Sequence, residues 1–242
     1  MKKGTFTVTA NEALAPGVWR MALAGDTSAI TGPGQFVDLA LPGRFLRRPI
    51  SVCDWTGDEV VLVYKVVGQG TAQMSQMGAG TQLDVLTGLG NGYDLDRSGD
   101  RPLLVGGGVG IPPLYALAKR LLAQGKRPTA VLGFNTAAEI FLADAFRALG
   151  IETVVTTVDG SAGVRGFVTD GMPEGYTYVY TCGPEPMLRA VYEKSETSGQ
   201  FSFEERMGCG FGACMGCTCR TKYGNKRICR EGPVLEKEEI VW

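Results

Sequence analysis

Four cysteines near the C-terminus have the residue type and spacing to hold iron. Cys209 and Cys214 have four residues between them, Cys214 and Cys217 have two, and a longer loop leads to Cys229. This is the ligand pattern of plant-type 2Fe–2S centres, in which every ligand is a thiolate. Glycines 208, 210, 212 and 216 are interleaved with the first three cysteines. A loop wound round two irons needs positive φ angles and backbone N–H groups turned toward sulfur, and glycine supplies both at low cost. Structural zinc competes with this reading, although only Cys214 and Cys217 form the close pair that a zinc ribbon uses twice. Cys219 adds an ambiguity, since it lies near enough to replace Cys217 in a strained loop. Cys53 and Cys182 read as small buried residues. Arg220, Lys222, Lys226, Arg227 and Arg230 fall in the same loop and read as solvated surface or as a counter to an anionic centre. A cluster stores one electron, so the rest of the chain must contain something that exchanges electrons with it.

Two signals earlier in the chain fit phosphate and flavin binding. Arg48-Pro49-Ile50-Ser51 follows a strand pattern. Its arginine could grip a pyrophosphate and its serine hydroxyl could reach a flavin ring nitrogen. An edge strand starting after proline explains it equally well. Gly68-Gln69-Gly70-Thr71 ends another strand and opens a helix-like run, the usual place for a bound phosphate. Two more turns fit a dinucleotide. Gly106-Gly107-Gly108-Val109-Gly110 lies between a strand and a helix, as does Thr181-Cys182-Gly183-Pro184. The first departs from the dinucleotide fingerprint, because Ile111 stands at its third glycine place. Both are also compatible with ordinary tight strand-to-helix loops.

The elements that must position these residues follow from periodicity. Residues 6–8, 18–21, 35–39 and 60–67 alternate as short strands separated by turn clusters, which predicts a small antiparallel barrel. From 101 to 199 the pattern changes to strands (103–105, 129–134, 153–157, 176–180) alternating with helices (114–122, 137–149), which predicts a parallel α/β sheet. The expected fold class is therefore α+β multidomain: barrel 1–98, α/β domain 99–200 and cysteine-rich segment 201–242. The last has too few apolar residues for a core of its own.

Composition excludes several function classes. The 242 residues are 44% hydrophobic and 20% charged, with a net charge of −1, which argues against disorder and against a nucleic-acid partner. Histidine is absent, which removes His-based hydrolases and His-ligated metals. The N-terminus lacks a signal-peptide run. The most apolar stretch, 103–122, is broken by glycine and proline, so no membrane span is expected. Seven cysteines, an odd number, suit a reducing cytoplasm and metal or redox chemistry better than disulfides.

Taken in order, Arg-Pro-x-Ser, Gly-x-Gly-Thr, the triple-glycine turn and Cys-Gly-Pro resemble the ferredoxin–NADP reductase superfamily. The run from Phe203 to Cys217 narrows this. It looks like the cluster segment of electron-transfer subunits of NAD-linked (class 1B) dihydroorotate dehydrogenases. The resemblance implies FAD bound by Arg48, Pro49, Ile50 and Ser51, flanked by Val63, Tyr64 and Lys65, with its phosphates at Gly70 and Thr71. It implies a 2Fe–2S cluster on Cys209, Cys214, Cys217 and Cys229. It also implies NAD near Gly106, Gly107, Gly108, Gly110, Asp159, Cys182 and Gly183. The family's aromatic residue is replaced here by Ala162, and its Gly-Pro-Leu-Gly turn by Thr87-Gly88-Leu89-Gly90. The implied partner is an FMN-containing dihydroorotate dehydrogenase catalytic subunit, with two copies of each chain. The implied role is electron transfer from that FMN through 2Fe–2S and FAD to NAD+ in pyrimidine biosynthesis, with no catalytic side chain on this chain. An NAD(P)H-dependent reductase serving a ferredoxin or oxygenase fits the same motifs.

Overall fold

The computed structural model describes residues 1–242. Strands β1 (Lys2–Ala15), β2 (Val18–Ala24), β3 (Phe36–Ala40), β4 (Arg48–Trp55), β5 (Glu59–Lys65) and β6 (Gln82–Leu89) close into an antiparallel barrel in the order β1-β2-β5-β4-β3-β6. Helix α1 (Gln69–Met74) follows β5. Successive strand residues point to opposite faces, so one alternate set fills the interior. That set includes Phe6, Val8, Met21, Leu23, Val37, Leu39, Val52, Leu62, Tyr64 and Val85.

The second unit is a seven-stranded sheet. Its elements run β7 (Pro102–Gly107), α2 (Pro112–Ala123), β8 (Thr129–Phe134), α3 (Ala143–Ala148), β9 (Glu152–Thr157), β10 (Val164–Arg165), β11 (Tyr178–Cys182), α4 (Glu185–Lys194) and β12 (Gly199–Ser202). The order is β10-β9-β8-β7-β11-β12-β15, the last strand (Val234–Glu236) coming from the C-terminal segment. All neighbours are parallel except β15, which runs antiparallel to β12. Strand β7 is buried along its whole length, as a central parallel strand with both faces covered must be. Prolines 112 and 113 start α2 where their missing N–H groups cost nothing, and Leu114, Leu117 and Leu121 bury its inner face.

The helix expected over 137–149 is broken. A 3-10 turn at Ala137–Glu139 gives way to extended backbone at Ile140 and to φ 60° at Leu142, and α3 begins only afterwards. Glu139 accepts hydrogen bonds from the backbone and side-chain nitrogens of Asn135 at 3.2 and 2.9 Å, which holds the first turn back. The displaced Phe141 then packs edge-on against Phe134, with ring centroids 5.5 Å apart.

The C-terminal segment borrows its core. After the hairpin β13 (Thr218–Thr221) and β14 (Gly224–Arg227), β15 (Val234–Glu236) joins the sheet. Cys217, Ile228, Cys229, Leu235 and Ile240 pack in one cluster with Phe36, Leu86 and Leu89 of the barrel and Leu103, Val105 and Val179 of the sheet. Asn91, just past β6, turns its backbone N–H and its side-chain amide onto this segment. Its backbone N–H donates to Gly232 O at 2.7 Å. Its Nδ2 donates to Glu231 O at 3.2 Å and Val234 O at 2.7 Å, and its Oδ1 accepts from Val234 N at 3.1 Å. The neighbouring Gly90 has φ 76°, and a Cβ there would stand 2.5 Å from Pro233 Cδ. No helix is long and apolar enough to cross a membrane.

This packing predicts the effect of a cavity in the seam. Leu235→Ala should cost about 2–5 kcal/mol, the usual range for a buried leucine, and should expose the segment to protease before the barrel. An unchanged order of cleavage would show that the segment is held in some other way.

Candidate functional site

The four cysteine thiols come together as two pairs. Cys214 donates its backbone N–H to Cys209 Sγ, and Cys229 donates its backbone N–H to Cys217 Sγ, each at 3.4 Å. No three His, Cys, Asp or Glu side chains converge on a point that could hold a single ion, so the thiols stand as two pairs rather than one four-fold cage. Backbone N–H groups turn inward as the loop requires. Ala213 and Cys214 donate to Cys209 Sγ at 3.2 and 3.4 Å, Gly216 donates to Cys214 Sγ at 3.5 Å, and Cys229 donates to Cys217 Sγ at 3.4 Å. Burial would raise the Cys209 thiol, but N–H donation from Cys214, Phe211 and Ala213 brings it down to about 6. Burial and the neighbouring Cys217 push Cys229 up to about 12. A low thiol pKa favours the thiolate, which is the metal-binding form.

The pairs differ in exposure. Cys217 and Cys229 are buried against the shared core, while Cys214 is exposed beside Phe211 and Met215, which are 42% and 55% exposed. Cys219 lies half-buried on β13 and belongs to neither pair; burial and then Glu205 raise its thiol. Two of the loop's five bases are committed elsewhere. Arg227 pairs with Glu231 and donates to Gly212 O at 2.7 Å, bracing the loop from within, and Lys226 pairs with the buried Glu239.

The loop sits on the outer face of β3. Phe36 and Asp38 point out of the barrel, yet they are 3% and 1% exposed. Gly210, at φ 76°, lies so close that a Cβ on it would stand 2.4 Å from Asp38 Oδ2. Burial pushes the Asp38 carboxyl up to about 6; Arg47 opposes that and Cys209 adds to it.

On the barrel, two of the sequence signals meet. A Cβ on Gly70 would stand 2.1 Å from Arg48 Nε, so the glycine leaves room for the guanidinium at the start of α1. Thr71 Oγ1 accepts from Val67 N at 2.9 Å and shapes that turn. Pro49, Ile50 and Ser51 are half-buried on β4, opposite Asp38, Val37 and Phe36 of β3. Val63 packs into the core shared with the sheet, Lys65 is exposed, and Tyr64 points into the barrel, where its hydroxyl bonds Asn11 Oδ1 at 3.1 Å.

The two glycine turns of the sheet also meet. A Cβ on Gly110 would stand 2.3 Å from Cys182 O, and one on Gly107 would stand 2.5 Å from Met187 Sδ. Gly106 is likewise closed off by Ile111, whereas Gly108, at φ 51°, faces open space. Gly183 packs against Met187, and burial raises the Cys182 thiol to about 12. Asp159 is exposed, in the turn after β9. It accepts from Ser161 N at 2.9 Å and Ser161 Oγ at 2.6 Å, and these bonds lower its carboxyl pKa.

Comparison with known proteins agrees with this geometry. Residues 204–241 match the iron–sulfur cluster binding domain of dihydroorotate dehydrogenase B, and residues 104–193 match the oxidoreductase NAD-binding domain. The chain is 41% identical over 256 residues to the electron transfer subunit of dihydroorotate dehydrogenase B (NAD(+)) of Geobacillus sp. (strain WCH70), covering 100% of this chain and 99% of that one. The chain belongs to this family. The corresponding electron transfer subunit of Bacillus pumilus (strain SAFR-032) is 40% identical, covering 99% of this chain and 98% of that one. A chain of the NADH-dependent reduced ferredoxin-NADP oxidoreductase superposes with a TM-score of 0.90 at 31% identity, over 98% of this chain and 90% of its own. The ferredoxin NADP+ reductase from Neisseria gonorrhoeae shares the fold alone, with a TM-score of 0.69 at 17% identity over 80% of this chain and 90% of its own. As an electron transfer subunit of dihydroorotate dehydrogenase B, the chain is an oxidoreductase subunit with an iron–sulfur cluster binding domain, and it has a catalytic subunit to serve.

Sequence reasoning passed over Asp38 and Asn91. Asp38 falls within the 35–39 strand pattern, and Asn91, between Gly90 and Gly92, falls in a polar, glycine-rich stretch. The close approach of the two sheet turns is testable. Gly110→Ala should cost about 1–3 kcal/mol, as overpacking against backbone does, and should weaken NADH binding. An unshifted melting temperature would show that the turns can part without cost.

Proposed function

We propose that electrons enter this chain at a 2Fe–2S cluster held by Cys209, Cys214, Cys217 and Cys229 and leave it as a hydride on NAD+, by way of FAD bound where the barrel meets the sheet. The observation that carries this reading is the placing of two thiol pairs against β3 of the barrel, beside the strand that holds Arg48 and Ser51. Each iron of a two-iron centre takes two protein ligands, and the donor set of two thiol pairs with inward N–H groups fits that need. When bound, the flavin supplies the exchange between single electrons and a hydride.

The chain's own residues supply binding and orientation. Arg48, beside the bare Gly70, offers a cation to the pyrophosphate, and Thr71 shapes the turn that receives it. Ser51 presents its hydroxyl from β4 toward a ring nitrogen, with Pro49 and Ile50 forming the adjoining edge. Val63 and Lys65 face away from the barrel interior, Val63 buried in the core shared with the sheet and Lys65 exposed, so Lys65 offers the flavin its side chain while Val63 and Tyr64 contribute backbone. Gly106 and Gly107 pack the sheet turns closely, Gly110 seats them on Cys182 and Gly183, and Gly108 leaves backbone bare for the dinucleotide. Asp159 stiffens a neighbouring turn that borders the nucleotide.

The exposed Cys214, with Phe211 and Met215, faces the partner, and Cys209 lies half-buried behind it. That partner is an FMN-containing subunit that oxidises dihydroorotate, assembled as two of each chain, in the reducing cytoplasm. The barrel comprises residues 1–98, the nucleotide domain 99–200 and the cluster segment 201–242. The superposition on the ferredoxin-NADP oxidoreductase chain keeps a ferredoxin-serving reductase as the second reading.

Two measurements check the proposal. Cys217→Ser should remove the cluster's visible absorption and its reduced paramagnetic signal, while Cys219→Ser should keep both; the opposite pattern would exchange the two ligands. The complex with a dihydroorotate-oxidising subunit should reduce NAD+ when given dihydroorotate, and this chain alone should not. Turnover of dihydroorotate by the isolated chain would overturn the division of labour.

A further inference from the structure

Two carboxylates lie buried near the cysteine segment. Glu239, 5% exposed, is answered by Lys226 and by the N–H of Glu236 at 3.0 Å. Asp38, 1% exposed, has no such answer: its Oδ1 has no hydrogen-bond partner, and its Oδ2 lies against Gly210, the residue after Cys209. The two arginines nearby are engaged elsewhere. Arg47 bonds Asp84 Oδ1 at 2.7 Å and the carbonyls of Asp38 and Asp84 at 3.2 and 3.0 Å. Arg48 bonds the carbonyls of Leu46 and Arg47 at 2.6 and 3.1 Å. A desolvated carboxylate without a donor is costly, and a neutral residue would fill the same space at lower cost. The charge is therefore best explained by its effect on a neighbour.

We propose that Asp38 is the fixed negative charge that lowers the reduction potential of the cluster proposed on Cys209 and its three partners. The inference rests on that cluster assignment. Reduction adds one electron and one negative charge, and a carboxylate buried one residue from a ligand opposes the added charge with little screening from solvent. The N–H groups on Cys209, Cys214 and Cys217 sulfur act the other way and raise the potential. Asp38 thus offsets the loop's own donors. A lower potential makes the cluster a stronger donor, which suits a chain whose electrons must end on NAD+. No proton or bond changes hands at Asp38; its contribution is its charge.

The test is a redox titration of the holo chain at pH 8, following the cluster by its paramagnetic signal. Asp38→Asn keeps the shape and removes the charge. It should leave the form of the signal unchanged and raise the midpoint, with about tenfold more reduced cluster at a fixed potential, or ~59 mV for one electron. A normal signal with an unmoved or lowered midpoint would overturn the proposal. Arg47→Gln removes the cation that most opposes the Asp38 carboxyl's upward shift and should lower the midpoint; if the Asn variant loses its cluster, an unmoved midpoint in Arg47→Gln overturns the proposal instead. A wild-type chain reconstituted with iron and sulfide that shows no 2Fe–2S signal would overturn the cluster assignment on which it rests.

Discussion

The C-terminal segment cannot bury enough apolar surface to fold by itself, and the rest of the design follows from where it finds its core. It takes one edge of the sheet through β15 and the outer face of β3 through Phe36, and Asn91 stitches the two together. Asn91 is itself exposed, but its side-chain amide makes three hydrogen bonds across the seam, two of them part-buried, and losing them loosens the hold on the segment. The seam therefore fixes the position of the cysteine loop relative to the strands that carry Arg48 and Ser51. Electron transfer falls steeply with distance, so holding that position is what the fold contributes.

The same economy recurs at the other sites. Gly70 leaves room for Arg48, Gly110 lets the two sheet turns touch, and Gly210 brings the cysteine loop onto Asp38. Each is a point where two segments distant in sequence approach more closely than a side chain would allow. The binding surfaces are thus seams between elements rather than hollows within one. One core, containing Val18, Cys53 and Val63 with Leu104, Ile111 and Leu114, runs continuously from barrel to sheet and makes the arrangement stiff.

What the sequence revealed was local chemistry. The cysteine spacing is a property of one short loop, so it could be read directly. Strand alternation and the change to a longer period gave the barrel and the parallel sheet, because each reports which face of an element is buried. What stayed hidden depends on distant contacts. Asp38 looks solvent-facing until the cysteine loop, far later in the chain, covers it. Asn91 falls in a glycine-rich stretch and shows its role only when Glu231, Gly232 and Val234 arrive from the C-terminal segment. The break before α3 comes from Glu139 bonding back to Asn135, which overrides a good helical pattern. Tyr64 shares the inward face with Val60 and Leu62, as strand alternation alone implies.

The account's central claim is that rigid seating of the cysteine loop on the barrel couples the two redox sites. Stopped-flow mixing of the holo chain with NADH, following cluster reduction in the wild type and in Asn91→Ala, tests it most directly. The account predicts that the variant keeps its iron and FAD content but reduces its cluster at least about tenfold more slowly, equivalent to a barrier higher by ~1.4 kcal/mol. Equal rates in the two proteins at equal cofactor content would contradict it.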